Sequence, residues 1–160
     1  NNAGDPSIAY DRLADRWVIT QLGSVSSPYS ECIAISQTSD PTGAYYLYSY
    51  SFGSSLNDYP KFSVWPSGNA SDSLTGSAYL ATYNMFYGSS GANLCGYDRK
   101  AMLSGNTAAQ ICQFLPNDYS YLPSDLDGST PAPASGGITP AYFVTYGSLS
   151  SLTVRKAASD

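Results

Sequence analysis

Carboxylates are the acid–base groups that this chain offers, because its 160 residues include no histidine. The absence of histidine excludes Ser-His-Asp and Cys-His nucleophile systems and removes the commonest metal ligand. Asp5 and Asp58 begin corresponding strands of two similar segments, so we expect them to border one cleft. Paired carboxylates cleave glycosidic bonds in many hydrolases. Asp5 and Asp58 are therefore the candidate catalytic residues, whereas most other aspartates lie in predicted turns beside Gly, Pro, Asn or Ser.

Asp125 and Asp127 form a candidate metal site. They stand two residues apart before Gly128, a spacing that calcium loops use because alternate side chains point inward together. The later ligands of an EF-hand loop are missing, so a plain turn is the alternative. Calcium is the one cofactor that the sequence suggests. The acceptor pattern Asn69-Ala70-Ser71 predicts glycosylation of Asn69 only in a eukaryotic source.

Four tyrosines in one predicted strand are the candidate ligand-binding residues: Tyr45, Tyr46, Tyr48 and Tyr50. They occupy consecutive and alternate positions, so both faces of the strand carry aromatic rings. One face is then available as a stacking surface for sugar rings. The alternative is that the four rings pack in the core or at its rim.

The three cysteines suggest one disulfide. Cys95 and Cys112 lie 17 residues apart and flank a turn-rich segment, which suits a bond between neighbouring strands, with buried free thiols as the alternative. Cys32 is then an unpaired thiol, or its partner lies on other sequence. The first residues lack the basic start and apolar run of a signal peptide. We therefore expect either a removed leader or an internal piece of a longer chain.

Composition narrows the class of protein. Only 12% of residues are charged, while 15 Tyr, 14 Gly and 10 Pro suit strands and tight turns. Low charge combined with many hydroxyl groups is typical of extracellular surfaces and predicts a secreted or cell-surface location. The net charge of −5, with scattered Lys and Arg, argues against a nucleic-acid surface. The apolar runs are far too short to span a bilayer.

Period-2 patterning dominates and predicts β-hairpins. The segment from Gly4 to Tyr10 is echoed from Asp58 to Trp65, about 54 residues later, which is a plausible repeat for a propeller blade. We predict a single all-β region, 1–160, with four-stranded antiparallel units at about 4–56 and 57–122 and an incomplete one at 123–160. Two to three blades cannot close a β-propeller, so the chain is part of a larger ring or, alternatively, a β-sandwich or small barrel.

An ordered set of motifs carries a resemblance to a known family: Gly4-Asp5-Pro6, the run from Tyr10 to Trp17, Asp40-Pro41-Thr42-Gly43, Asp58-Tyr59-Pro60-Lys61 and Asp125-Leu126-Asp127-Gly128. Together they resemble large secreted bacterial proteins with a sialidase- or kelch-like β-propeller. The resemblance covers most of the chain and implies a propeller and an exported location. It implies no particular activity.

Three functions follow as hypotheses. The first is a secreted or cell-surface propeller that binds a glycan or protein partner without catalysis. The second is a propeller-type, sialidase-like glycoside hydrolase that uses carboxylates such as Asp5 and Asp58. The third is a structural component of an extracellular assembly. The partners expected are a glycan or a protein, the remainder of the chain's own propeller, or copies of the chain itself.

Overall fold

The computed structural model describes residues 3–66, 77–127 and 140–157, and in these the chain is all-β, as predicted. The first sheet contains β1 (Ser7–Asp11), β2 (Arg16–Leu22), β3 (Tyr29–Ser36) and β4 (Tyr45–Gly53). The second contains β5 (Ser55–Pro66), β6 (Ser77–Tyr87), β7 (Gly91–Asp98) and β8 (Gln110–Pro116), with α1 (Arg99–Leu103) between β7 and β8. The third contains β9 (Leu122–Pro123), β10 (Ala141–Ser148) and β11 (Ser151–Ala157).

Each sheet is an antiparallel meander in which strands that follow one another along the chain are hydrogen-bonded neighbours. The first two sheets each contain four antiparallel strands, as predicted. In the third sheet, Leu149 lies in the turn between β10 and β11. The first strand of that sheet comes before Asp125, because Leu122 and Pro123 pair with β10.

The turn before β4 follows from its sequence. The Asp40 Oδ1 atom accepts hydrogen bonds from the backbone N–H of Thr42 at 2.9 Å and from its hydroxyl at 2.7 Å. Gly43 N–H donates to the Asp40 carbonyl oxygen at 3.2 Å and closes the turn. This turn sets the register in which Tyr45 pairs with Ser36, and so decides which tyrosines of β4 face the core.

The second sheet lies between the other two. Alternate residues of β6 point to opposite faces. Tyr79, Ala81 and Tyr83 pack with Val18, Ile33 and Ile35 of the first sheet in one buried cluster. Ala78 and Leu80 pack with Tyr121 and Phe143 in a second buried cluster on the side of the third sheet.

The three sheets are successive layers, and in the described part of the chain they do not close on themselves. α1 is a single short turn capped at its start by Asp98, whose Oδ1 accepts a hydrogen bond from Ala101 N–H at 2.9 Å. Among the described residues, no helix has the length and apolar character needed to cross a membrane.

The predicted disulfide between Cys95 and Cys112 is confirmed, and it joins residues directly opposite each other on β7 and β8. Reduction of this bond should lower the free energy of unfolding by about 3 kcal/mol, because it closes a 17-residue loop. That corresponds to a fall in Tm of roughly 6–12 °C, measurable by calorimetry with and without reductant. A Cys32→Ser variant should respond to reductant as the wild type does, because Cys32 is a free thiol. An unchanged Tm after complete reduction would contradict this expectation.

Candidate functional site

A groove opens where β4, the last strand of the first sheet, meets the segment between α1 and β8. It encloses about 350 Å³ and is lined by residues 47–50 of β4 and residues 105–108 of that segment. The Tyr48 hydroxyl donates to the Met102 carbonyl oxygen at 3.1 Å, and the Tyr50 hydroxyl donates to the Ala108 carbonyl oxygen at 3.2 Å. These two bonds hold the tyrosine rings in place as walls of the groove.

The alternation of β4 separates the four tyrosines that the sequence offers as ligand-binding residues. Tyr48 and Tyr50 lie on the face toward the second sheet and pack against its core. Tyr46 shares that face and lies against Gly105, where an added Cβ would clash with the ring. Tyr45 lies on the opposite face, and its hydroxyl donates to the Pro41 carbonyl oxygen at 2.8 Å. The structure therefore places two of the four in the groove wall.

The groove is uncharged. Its lining offers the rings of Tyr48 and Tyr50 together with Asn106 and Thr107, and it includes no Asp, Glu, Lys or Arg. Burial raises the pKa of Tyr50 to about 12 and raises the pKa of Tyr48 as well, so both phenols stay neutral at physiological pH. Hydroxyl and amide groups beside half-buried rings are suited to hydrogen bonding and stacking with a neutral polar ligand.

A buried carboxyl group lies between the first and second sheets. Glu31 of β3 is fully buried and faces Asn57 of β5, whose Nδ2 donates to Glu31 Oε2 at 3.0 Å. Three buried side-chain atoms in the described residues have no hydrogen-bond partner: Thr20 Oγ1, Glu31 Oε1 and Asn57 Oδ1. All three belong to this cluster. Two of them, Oε1 and Oδ1, can only accept while Glu31 is ionised.

A proton on Glu31 Oε1 would turn this unpaired acceptor into a donor for the other one, Asn57 Oδ1. Burial raises the pKa of Glu31 to about 8, and the negative charge of Asp5 adds to the effect, whereas the Thr20 hydroxyl and the Asn57 amide beside the carboxyl group oppose it. Glu31 is therefore mostly protonated at pH 7. A proton on Oε1 provides the donor that Asn57 Oδ1 lacks, so the acid and the amide can form two parallel hydrogen bonds.

A buried ion pair joins the first two sheets near the end of β1. Asp11 is fully buried, and the Arg99 guanidinium donates to both of its oxygens, from Nε at 2.6 Å and from an Nη at 3.0 Å. The Tyr79 hydroxyl donates to Asp11 Oδ2 at 2.9 Å. Burial alone lowers the pKa of Arg99, but the hydrogen bond and charge of Asp11 outweigh it, so the pKa is raised. Arg99 therefore stays charged.

The two candidate catalytic residues differ in where they lie relative to Glu31. Asp5 is exposed, has a left-handed backbone conformation with φ of 51°, and is close enough to Glu31 to affect its pKa. Asp58 follows Asn57 on β5, so its side chain points away from Glu31, and it is paired in register with Asn84. The structure thus brings Asp5 toward Glu31 and places Asp58 on the other face of β5.

The candidate calcium residues have a structural use. Asp125 Oδ1 accepts a hydrogen bond from Val64 N–H at 2.8 Å, and Leu126 N–H donates to the Val64 carbonyl oxygen at 3.1 Å. Asp125 therefore holds the chain against β5. Asp127 is exposed, and no cluster of three Asp, Glu, His or Cys residues forms in the ranges that the structure describes. Asn69 lies outside those ranges.

No family model, curated protein or solved structure matches this chain. The likeness to secreted propeller proteins therefore stays a prediction. What supports a function is the geometry of the groove and of the sheet faces.

Glu31, Asn57 and the pair of Asp11 with Arg99 were not predicted as a site from the sequence. One signal for Glu31 is present in β3, where it precedes Ile33 and Ile35 at the alternate positions that face the core. An acidic residue at a core-facing position needs a partner or a proton. No comparable pattern marks Arg99, because its partner Asp11 is 88 residues away in the chain.

Proposed function

We propose that this chain is a non-catalytic binding module of β-propeller type, secreted or displayed on a cell surface, that binds a neutral glycan in the groove between β4 and the α1–β8 segment. The observation that carries the proposal is the lining of that groove. Two fixed tyrosines stand beside hydroxyl and amide side chains, with no charged group among them. Sugar rings are recognised through aromatic contacts combined with hydrogen bonds of this kind.

The propeller part of the proposal is supported by the order of the sheets. Each unit is a meander that packs face to face on the next, and the middle sheet has a buried cluster on each of its faces. A β-sandwich has two sheets with one core between them, so a third stacked layer favours the propeller. The disulfide between Cys95 and Cys112 supports a secreted or surface location, because disulfides persist in oxidising compartments.

The positions of the acidic residues support binding rather than hydrolysis. Glu31 and Asp11 are fully buried and engaged with Asn57 and Arg99, so a substrate does not reach them. Asp5 is exposed near Glu31, while Asp58 is on the other face of β5. Glycosidases need two carboxyl groups that flank one bond.

A glycan array probed with the purified chain, followed by calorimetric titration of the best neutral oligosaccharide, tests the groove. Asn106→Ala should weaken binding by about tenfold or more, because it removes an amide from the lining. Gln113→Ala is the matched control, since it removes an exposed amide on β8 outside the groove. It should leave the affinity unchanged.

Binding of neutral sugars that Asn106→Ala abolishes and Gln113→Ala preserves would support the proposal. Equal affinity of both variants would place the ligand elsewhere and contradict it. Release of product from a glycan, lost in Asp5→Asn or Asp58→Asn, would establish the hydrolase instead. Binding confined to a protein partner would also overturn the glycan assignment.

A further inference from the structure

The three sheets use equivalent strands to pack on one another. In β2, the second strand of the first sheet, Val18 faces the second sheet. In β6, the second strand of the second sheet, Leu80 faces the third. The same rule holds for the third strands, because Ile33 of β3 faces forward onto the second sheet and Leu94 of β7 faces forward onto the third. Each sheet thus has a forward face that covers the next sheet along the chain.

The forward face of the third sheet is exposed and largely apolar, with one charged residue, Lys156, opposite Tyr142. Phe143 of β10 points back into the cluster with the second sheet, so its neighbours in β10 point forward. The cross-strand register places these forward residues together: Leu122, Tyr142, Val144, Tyr146, Leu152 and Val154. Tyr146 is 82% exposed, Leu152 64% and Val154 60%. An apolar patch of this kind on a sheet marks an interaction surface.

The opposite face of each sheet, which we call its backward face, is turned toward the preceding sheet. In the first sheet this backward face is also apolar and exposed. Val18, Ile33 and Ile35 point forward into the core, so the alternate residues of the same strands point backward. Register places these residues together: Ile8, Tyr10, Trp17, Ile19, Ala34 and Leu47. Leu47 is 79% exposed and Ile8 63%. Within the stack, the equivalent faces of the second and third sheets are each covered by the forward face of the sheet before them.

We propose that the forward face of the third sheet binds the backward face of the first sheet in a second copy of this chain. The contact repeats the one that already joins the sheets within the chain, so both of its halves are present in every copy. It is heterologous, with two different faces, and therefore propagates into a ring or a filament. The proposal rests on the observed stacking of the sheets and not on glycan binding, although Leu47 belongs both to this face and to the lining of the groove.

Sedimentation equilibrium of the purified chain tests the proposal, with one variant on each face. Leu152→Lys alters the forward face, and Leu47→Lys alters the backward face. The wild type should exceed its monomer mass of 17.0 kDa as concentration rises. Each variant should associate about tenfold more weakly or worse, because the contact would bury an unpaired charge. Ile111→Lys, at a 62% exposed position on β8 away from both faces, is the matched control and should associate as the wild type does.

Mixing the two variants distinguishes a contact between two different faces from a symmetric contact that uses the same face of both copies. Leu152→Lys keeps an intact backward face and Leu47→Lys keeps an intact forward face, so an equimolar mixture should form a heterodimer that neither variant forms alone. Near-ultraviolet circular dichroism confirms that each variant is folded before it is mixed.

Cys32 provides a second readout. It is a free, partly exposed thiol on β3, and it points backward because its neighbours Glu31 and Ile33 point into the core. Alkylation of Cys32 should slow as the wild-type concentration rises and should stay fast in Leu47→Lys. A wild type that stays monomeric up to about 1 mM, with Cys32 freely alkylated, would overturn the proposal. Association that survives in both variants, or a mixture that forms no heterodimer, would overturn it as well.

Discussion

Replacing Arg99 with leucine should lower the free energy of unfolding by about 3–5 kcal/mol, because it leaves the fully buried Asp11 without its cation. The Tyr79 hydroxyl and the Ala14 N–H would still donate to Asp11, but neither carries a charge. Guanidinium denaturation at pH 7, with the disulfide kept intact, measures the loss. This ion pair joins β1 to the start of α1, so the variant should loosen the contact between the first two sheets.

Arg155→Leu is the matched control for the Arg99 variant. Arg155 pairs with Asp118 at 3.2 Å, but the two side chains are 46% and 31% exposed. Removal of an exposed ion pair costs less than about 1 kcal/mol. The double variant Asp11→Asn with Arg99→Leu should recover much of the lost stability, because no buried charge then remains unpaired. Equal losses for Arg99→Leu and Arg155→Leu would contradict the role assigned to the buried pair.

Replacing Glu31 with glutamine should stabilise the protein at alkaline pH. Glutamine has the shape of the protonated acid, and its amide can exchange two hydrogen bonds with Asn57 at any pH. The pKa of Glu31 is about 8 in the folded protein, against 4.5 for an ordinary glutamate. Between these values the folded state holds a proton that the unfolded state has lost, so wild-type stability falls as pH rises.

The size of the effect follows from the shift in pKa. The contribution of protonated Glu31 is fully present below about pH 4.5 and is lost as pH rises through about 8. Each unit of pKa shift corresponds to about 1.4 kcal/mol, so the loss is of the order of 5 kcal/mol. Glu31→Gln should therefore match the wild type near pH 4.5 and exceed its stability by about that amount at pH 9.

Denaturation curves of both proteins at a series of pH values measure this difference. Asp5→Asn is a useful control, because it removes an exposed charge that raises the pKa of Glu31 without touching the pair with Asn57. That variant should keep the pH dependence and move its midpoint to slightly lower pH. A difference between Glu31→Gln and the wild type that does not change with pH would show that Glu31 is ionised in the folded protein.

The strands could be predicted from the sequence because their signals are local. Alternation of apolar and polar residues fixes the faces of β2, β3 and β6, and turns such as Asp40-Pro41-Thr42-Gly43 fix where strands end. The disulfide was predictable for the same reason, since Cys95 and Cys112 lie on neighbouring strands of one hairpin. The shortest strand, β9, was missed because two residues carry no periodic signal.

The candidate site depends on contacts that no local pattern contains. Tyr48 and Tyr50 stand out in the sequence as candidate ligand-binding residues, but the other wall of the groove that they line comes from residues 105–108, more than 50 positions away. Asp58 shows that residues which appear equivalent in the sequence need not face the same place in the fold. Its neighbour Asn57 points toward Glu31, so the alternation of β5 directs Asp58 away from the first sheet, where Asp5 lies.

The sequence by itself determined the all-β class, most of the hairpins and the disulfide, because each depends on residues close together in the chain. Only the tertiary structure decided which carboxylates are buried and which partners they have. Asp5, prominent in the sequence, is exposed, and Asp58 points to the face of β5 that is turned away from the first sheet. Glu31 and Asp11, by contrast, are buried between two sheets. Burial and partnership are set by how sheets stack, and stacking joins residues that are far apart in sequence.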